Sequence, residues 1–167
     1  MPMSEYMRRL RSLVGTTLLE LPTVTVVHFD DAGRILLVRH SEGNVWTTPG
    51  GAVEPGESPA NAAVREMWEE TGLWVELTRV IGVYGGPEFQ TTYSNGDAIS
   101  FLMTVFEARL LAGDPRPDEE ETLEVGYFSR QELDGLQLAH WLPRVLPDLF
   151  GDRGLAHFDA ATWRPVL

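Results

Sequence analysis

The 167-residue chain contains no cysteine, which excludes disulfide scaffolds, thiolate zinc sites and cysteine nucleophiles. It also lacks any apolar run near the ~20 residues that a membrane span requires. Arg11 and Glu20 interrupt the stretch after Arg8 and Arg9 where a secretory hydrophobic region would stand. The expectation is a cytoplasmic protein with no membrane partner. Positive charge is scarce: Lys+Arg 13 against Asp+Glu 25 leaves a formal charge of −12. A surface that acidic repels a phosphate backbone, so polymeric nucleic acid is not an expected partner. A small phosphate ester is still a suitable ligand, provided cations stand between it and the protein. Internal repeats and low-complexity tracts are absent too.

What is present suits one ordinary folded domain, with 43% hydrophobic and 23% charged residues. Residues 4–14 read as an amphipathic helix carrying Tyr6, Leu10, Leu13 and Val14 on one side and stopping at Gly15. It packs either on its own domain or on a second copy, which leaves a homodimer open. Residues 21–29 and 34–40 are expected as strands joined in a hairpin by the turn at Asp30. Ser58 before Pro59 marks a helix start, and Gly72 its stop. Further strands are expected at 73–84, 98–110 and 122–128, with a long loop over 85–96. Ser129 and Glu132 form a capping-box pattern, and a second C-terminal helix is expected over 140–150. Phe158 and Trp163 suggest that the tail docks. The resulting division is an extension at 1–20, a domain at 21–150 and a tail at 151–167.

On a helix advancing ~100° per residue, Glu66, Glu69 and Glu70 fall within one arc of about 100°. Ala60, Val64, Met67, Trp68 and Thr71 lie opposite, on the face expected to meet the core. Like charges at such spacings oppose the helix by ~0.2–0.5 kcal/mol per pair unless something positive joins them. An isolated acidic pair is usually a solvated face. Carboxylates without Cys or His beside them in sequence suit a hard cation, Mg²⁺ or Mn²⁺. Upstream, Gly50 and Gly51 open a loop that can approach a ligand closely, and Glu57 can accept a bidentate salt bridge from Arg65.

These residues coincide with a known pattern. Gly51, Glu57, Arg65, Glu66, Met67, Glu69, Glu70, Gly72 and Leu73 fill all nine specified positions of the Nudix box, G-x5-E-x7-R-E-U-x-E-E-x-G-U. A chance match in a chain of this length is on the order of 10⁻⁷, which displaces the solvated-face reading. The chain therefore resembles a Nudix hydrolase. The resemblance implies an α/β fold, specifically an α/β/α sandwich with a mixed β-sheet. It further implies a Mg²⁺-dependent pyrophosphohydrolase, with Mn²⁺ as substitute, acting on a nucleoside diphosphate linked to another moiety. By the family pattern Glu66, Glu69 and Glu70 are metal ligands, Glu66 also orients or deprotonates the attacking water, and Glu57 and Arg65 shape the site. A further acid comes from the loop before the last core strand. Spacing to Tyr127 favours Glu121 there, then Glu120.

Substrate recognition is less defined. Gly50 and Gly51 are expected beside the substrate. Trp46 and Tyr93 are candidates to stack on a base, although for Trp46 a packed core position is the stronger reading. Tyr84 and Phe89 flank the same long loop as Tyr93. Pro87 stands near a proline position seen in ADP-ribose pyrophosphatases. The expected partner is a small nucleotide: ADP-ribose, a sugar nucleotide or a nucleoside triphosphate. The alternative is a Nudix-fold module that binds a nucleotide without cleaving it, against which the intact helix carboxylates count. The isomerase branch of the fold typically calls for a cysteine. His28 and His40 lie in expected strands and read as structural or surface groups, and His140 and His157 show no ligand spacing, so no histidine is assigned a role.

Overall fold

The computed structural model describes residues 4–151 and 154–163; the first three and last four positions of the expected extension and tail lie outside that range. In chain order the elements are α1 (Glu5–Val14), β1 (Leu19–His28), β2 (Ile35–His40), β3 (Trp46–Thr47), β4 (Gly50–Ala52) and α2 (Pro59–Thr71). There follow β5 (Trp74–Tyr84), β6 (Gln90–Thr92), β7 (Ala98–Ala112), β8 (Thr122–Phe128) and α3 (Leu142–Leu149). Strands β4-β1-β7-β5 form a mixed sheet, with β6 also on β7; β1 and β7 run parallel, the other pairings antiparallel. Strands β3-β2-β8 form a second, antiparallel sheet.

Strand alternation sends apolar side chains to two cores. Val24, Val26, Leu36, Val75 and Phe106 pack with Ala62, Ala63 and Met67 of α2. Val27, Ile35, Leu37 and Val105, one residue out of phase, pack with Leu142, Val145, Leu146 and Leu149 of α3. Helices therefore cover both faces, giving the expected α/β/α sandwich.

Several local expectations are corrected. The turn at Asp30 forms, its Oδ1 accepting the Ala32 and Arg34 amides at 3.0 and 2.8 Å, but no hairpin ladder follows. Both edges of β1 are taken, by β4 and β7, so contact with β2 ends at one Phe29–Ile35 bridge and β2 joins the other sheet. The core face of α2 is also rotated from expectation. Ala62, Ala63, Glu66, Met67, Glu70 and Thr71 are buried, whereas Ala60 is exposed and Trp68 half-exposed. Two small alanines bring the helix close to the sheet and carry the carboxylates inward with them. The 85–96 loop contains a 3-10 turn at Pro87–Phe89 and strand β6, and it buries Phe89 and neighbouring Tyr84 in the α3 core. The Ser129–Glu132 box opens a 3-10 turn at Glu132–Gly135, and α3 starts at Leu142.

Helix α1 does not use its expected apolar side: Tyr6, Leu13 and Val14 are exposed, and Met7 and Arg11 are buried. Arg11 docks the helix on its own domain. Its Nη atoms donate to the carbonyls of Gly15, Thr17 and Ala98 at 3.1, 2.7 and 2.8 Å, and its Nε lies 3.5 Å from Asp97. The tail docks through His157, while Phe158 and Trp163 keep most of their surface exposed. The His157 ring stacks on Tyr84 at 5.1 Å, and its backbone exchanges hydrogen bonds with Ile81 and Val83.

Arg11→Ala leaves three carbonyls without their donor. The expected outcome is a loss on the order of 2 kcal/mol, with faster amide hydrogen exchange across residues 5–14. Unchanged exchange there would show that Arg11 does not anchor α1.

Candidate active site

The site is assembled where α2 starts from the box loop. Ser58 caps the helix, its Oγ accepting the Asn61 amide at 3.2 Å, and Gly72 closes it in the left-handed region at φ 68°. Two glycines let the preceding loop press inward. At Gly50, a Cβ would stand 2.2 Å from the Val24 carbonyl oxygen. At Gly51 it would stand 2.5 Å from a carboxylate oxygen of Glu66. The loop backbone thus lies between β1 and the helix carboxylates with no room for a side chain.

One guanidinium organises the acids. Arg65 donates from Nε and Nη2 to the two oxygens of Glu57, each at 3.0 Å, the bidentate bridge expected from the sequence. Nη2 also reaches the Ala52 carbonyl at 3.2 Å. Nη1 donates to Glu66 at 2.8 Å and to Glu69 at 3.0 Å. This is the positive group that the crowded carboxylates require. The Arg65 guanidinium holds the Glu57 carboxyl below its ordinary range.

Glu66 and Glu70 lie deeper, at 1% and 3% exposure, and burial pushes both carboxyls up, Glu70 well above the usual carboxylate range. Arg65 partly offsets this at Glu66, and the Glu66 charge adds to it at Glu70. Glu70 Oε2 accepts the Gly50 amide at 3.2 Å. Glu69 is half-exposed at the rim.

The loop before β8 brings in Glu121. Asp118 Oδ1 accepts the amides of Glu120, Glu121 and Thr122, each at 2.9 Å, and the Thr122 hydroxyl donates to the Glu70 carbonyl at 3.0 Å. Glu121 is consequently buried, while Glu120 points to solvent. A ring nitrogen of His40 and carboxylate oxygens of Glu70 and Glu121 all lie within 4.8 Å of one another.

His40 was invisible to sequence spacing, because a single histidine ending a strand carries no ligand pattern. A register shift between Arg39 and His40 places it opposite Thr122, the residue after Glu121. Asp118 and Thr122, which shape the loop, also carried no signal. Neither aromatic candidate has a side-chain hydrogen bond to a box carboxylate among the described residues. Trp46 packs edge-on against Phe128 at 4.7 Å, and its backbone bonds Gln137 and Ala139. That is the core role weighed for it. Tyr93 lies in the β6–β7 turn near Arg11 and Glu42.

The site's donors are hard carboxylate oxygens gathered on α2 and the loop before β8, a donor set that fits a divalent cation. Among the described residues no helix is long and apolar enough to cross a membrane.

Comparison with known proteins gives a consistent result. The family model for the NUDIX domain matches residues 19–149. A MutT-like protein of Streptomyces ambofaciens is 37% identical over 87% of this chain and 87% of its own length. A putative 8-oxo-dGTP diphosphatase of Bacillus subtilis is 48% identical over 39% of this chain, a match spanning 44% of that protein. Among solved structures, an ADP-ribose pyrophosphatase from Streptococcus suis superposes with a TM-score of 0.61 at 25% identity, covering 83% of this chain and 96% of that one.

Glu57 contributes stability through a carboxyl whose folded pKa is depressed. That contribution is present above its unfolded value of 4.5 and is lost as pH falls through the folded value. Glu57→Gln is expected to cost about 1 kcal/mol at pH 7. In thermal melts from pH 7 to pH 3 the gap from wild type should close in acid. A gap that stays constant with pH would show the bridge to be uncoupled from folding.

Proposed function

The chain belongs to the Nudix hydrolase family, and on that footing we propose that it is a Mg²⁺-dependent pyrophosphohydrolase of small nucleotides, with Mn²⁺ able to substitute. Its substrate is a nucleoside diphosphate linked to another moiety: ADP-ribose, a sugar nucleotide or a nucleoside triphosphate. The observation carrying this reading is the complete acidic set, Glu66, Glu69, Glu70 and Glu121, on one flank of α2 and the adjoining loop. A module that merely bound nucleotide would have no need of so many crowded acids. Relatives named for 8-oxo-dGTP and ADP-ribose support the small-nucleotide class. The net charge of −12 argues against a polyanionic strand and favours a cytoplasmic small-molecule role.

Glu66, Glu69, Glu70 and Glu121 are the residues that would hold divalent cations. Bound there, such an ion offsets substrate charge and lowers the pKa of water. The chain's own groups do the rest. Glu66, with one oxygen held by Arg65, orients the attacking water and takes its proton. Water oxygen bonds to phosphorus as the bridging P–O bond breaks, and the departing phosphate leaves as an anion. Arg65 fixes Glu66 and Glu69 relative to the loop, and Glu57 fixes Arg65. The Gly50 amide orients Glu70. The side-chain-free surface at Gly50 and Gly51 lets the diphosphate approach the backbone.

Phosphate release measured with Mg²⁺ across ADP-ribose, sugar nucleotides, dinucleoside polyphosphates and canonical or oxidised triphosphates tests the class. Cleavage of at least one is expected, and binding without cleavage across the panel would favour the non-catalytic alternative. Glu70→Gln should fold normally and lose about 10²-fold or more of turnover at saturating Mg²⁺. Wild-type turnover in that variant would remove Glu70 from the chemistry.

A further inference from the structure

We propose that His40 supplies a nitrogen ligand to a second cation position, formed with Glu70 and Glu121, and that this donor biases the position toward Mn²⁺ over Mg²⁺. The inference rests on the reading that this site binds divalent cations for diphosphate hydrolysis, and adds to it a residue outside the box.

The three donors come from three separate elements: the end of β2, the last turn of α2 and the loop entering β8. Their convergence is built into the backbone. The irregular pairing after Arg39 sets His40 opposite Thr122, and the Thr122 hydroxyl bonds the Glu70 carbonyl. Donors within 4.8 Å of one another stand close to the spacing around one cation, where ligands at ~2.2 Å are roughly 3–4.4 Å apart, so a small side-chain adjustment brings them onto one ion. An independent feature points to the same ligand. Glu70 is almost wholly buried, and its carboxylate is oriented by the Gly50 amide. Taking such a carboxylate out of water is costly, and a divalent ion at this position would offset that cost. Glu70 belongs as well to the Glu66–Glu69–Glu70 face, so it would join two cation positions, the arrangement that clamps both attacking and leaving oxygens.

A neutral imidazole alters metal choice. Carboxylate and water suit Mg²⁺, whereas imidazole favours transition metals. The competing account makes His40 a hydrogen-bonding neighbour only, its Nδ1 accepting the Glu42 amide at 3.3 Å. Coordination through either nitrogen breaks that contact. Binding at Nδ1 takes the lone pair, and binding at Nε2 leaves the proton on Nδ1 facing the amide. Glu42 sits on an exposed turn, free to give way.

The test is pulsed electron paramagnetic resonance on the full chain titrated with Mn²⁺. ¹⁴N modulation of the Mn²⁺ echo is expected in wild type and should vanish in His40→Gln. Equilibrium competition should show the variant's preference for Mn²⁺ over Mg²⁺ reduced about tenfold or more. Wild type labelled with ¹⁵N-histidine gives a readout that needs no variant, because the ¹⁴N pattern should be lost. Bound Mn²⁺ without nitrogen modulation, or modulation that survives in His40→Gln, overturns the role of His40 while leaving any hydrolysis in the nucleotide panel standing. Failure of wild type to bind Mn²⁺, with or without nucleotide, overturns this inference and the reading beneath it.

Discussion

Everything at the site depends on how five carboxylates are kept close together inside an already acidic protein. The Arg65 guanidinium is the main answer. Its fork spans Glu57 on the loop and Glu66 and Glu69 on the helix, and it reaches the Ala52 carbonyl as well. A lysine could neutralise one of these acids but could not bridge two oxygens of one partner while bonding two others. The sequence contains no lysine at all, and most described arginines are committed to acids in the same manner, as with Arg34 and Asp30, Arg79 and Glu107, or Arg144 and Glu88. Glu70 and Glu121 lie beyond the reach of Arg65. Both are buried beside His40, where their carboxylate oxygens and a ring nitrogen come within 4.8 Å of one another.

Much of this was legible in the sequence because the relevant signals are local. The Ser58 cap, the Gly72 stop, the Glu57–Arg65 bridge and the carboxylate arc are all set by spacing along a single turn–helix segment. The long strands β1, β2, β5, β7 and β8 could be read from their apolar and β-branched runs, whereas β3, β4 and β6, two or three residues each, could not. What failed was long-range. The β1–β2 hairpin was expected because the turn chemistry at Asp30 is correct, yet pairing is decided by which strand edges remain free, and β1 has none. The core face of α2 was misjudged because apolar content was weighed, whereas the sheet selected small residues, Ala62 and Ala63, and accepted buried acids with them. His40 joined the site through a one-residue irregularity between β2 and β8 that leaves no trace in composition.

Tyr84 and Phe89 show the same limit from another side. Aromatics flanking a long glycine-bearing loop could serve a ligand or a core. The loop folds back through a 3-10 turn and seals the core under α3, where Tyr84 bonds Asp148 and stacks on His157. Loop length alone did not distinguish the two outcomes, whereas the approach of a distant tail did.

The failed hairpin has a lasting mechanical effect. Because β1 and β2 part after one bridge, Gly50 and Gly51 ride on one sheet while His40 and the β8 entrance ride on the other, with α2 wedged across both. The site is therefore divided between layers, with the glycine loop on one sheet, His40 and Glu121 on the other and Glu66, Glu69 and Glu70 on the helix. Leu36 of β2, Met67 of α2 and Phe106 of β7 share the buried core that joins these layers. Adaptation of such a protein to a different ion or temperature has a route through those hidden side chains, with every acidic residue left untouched.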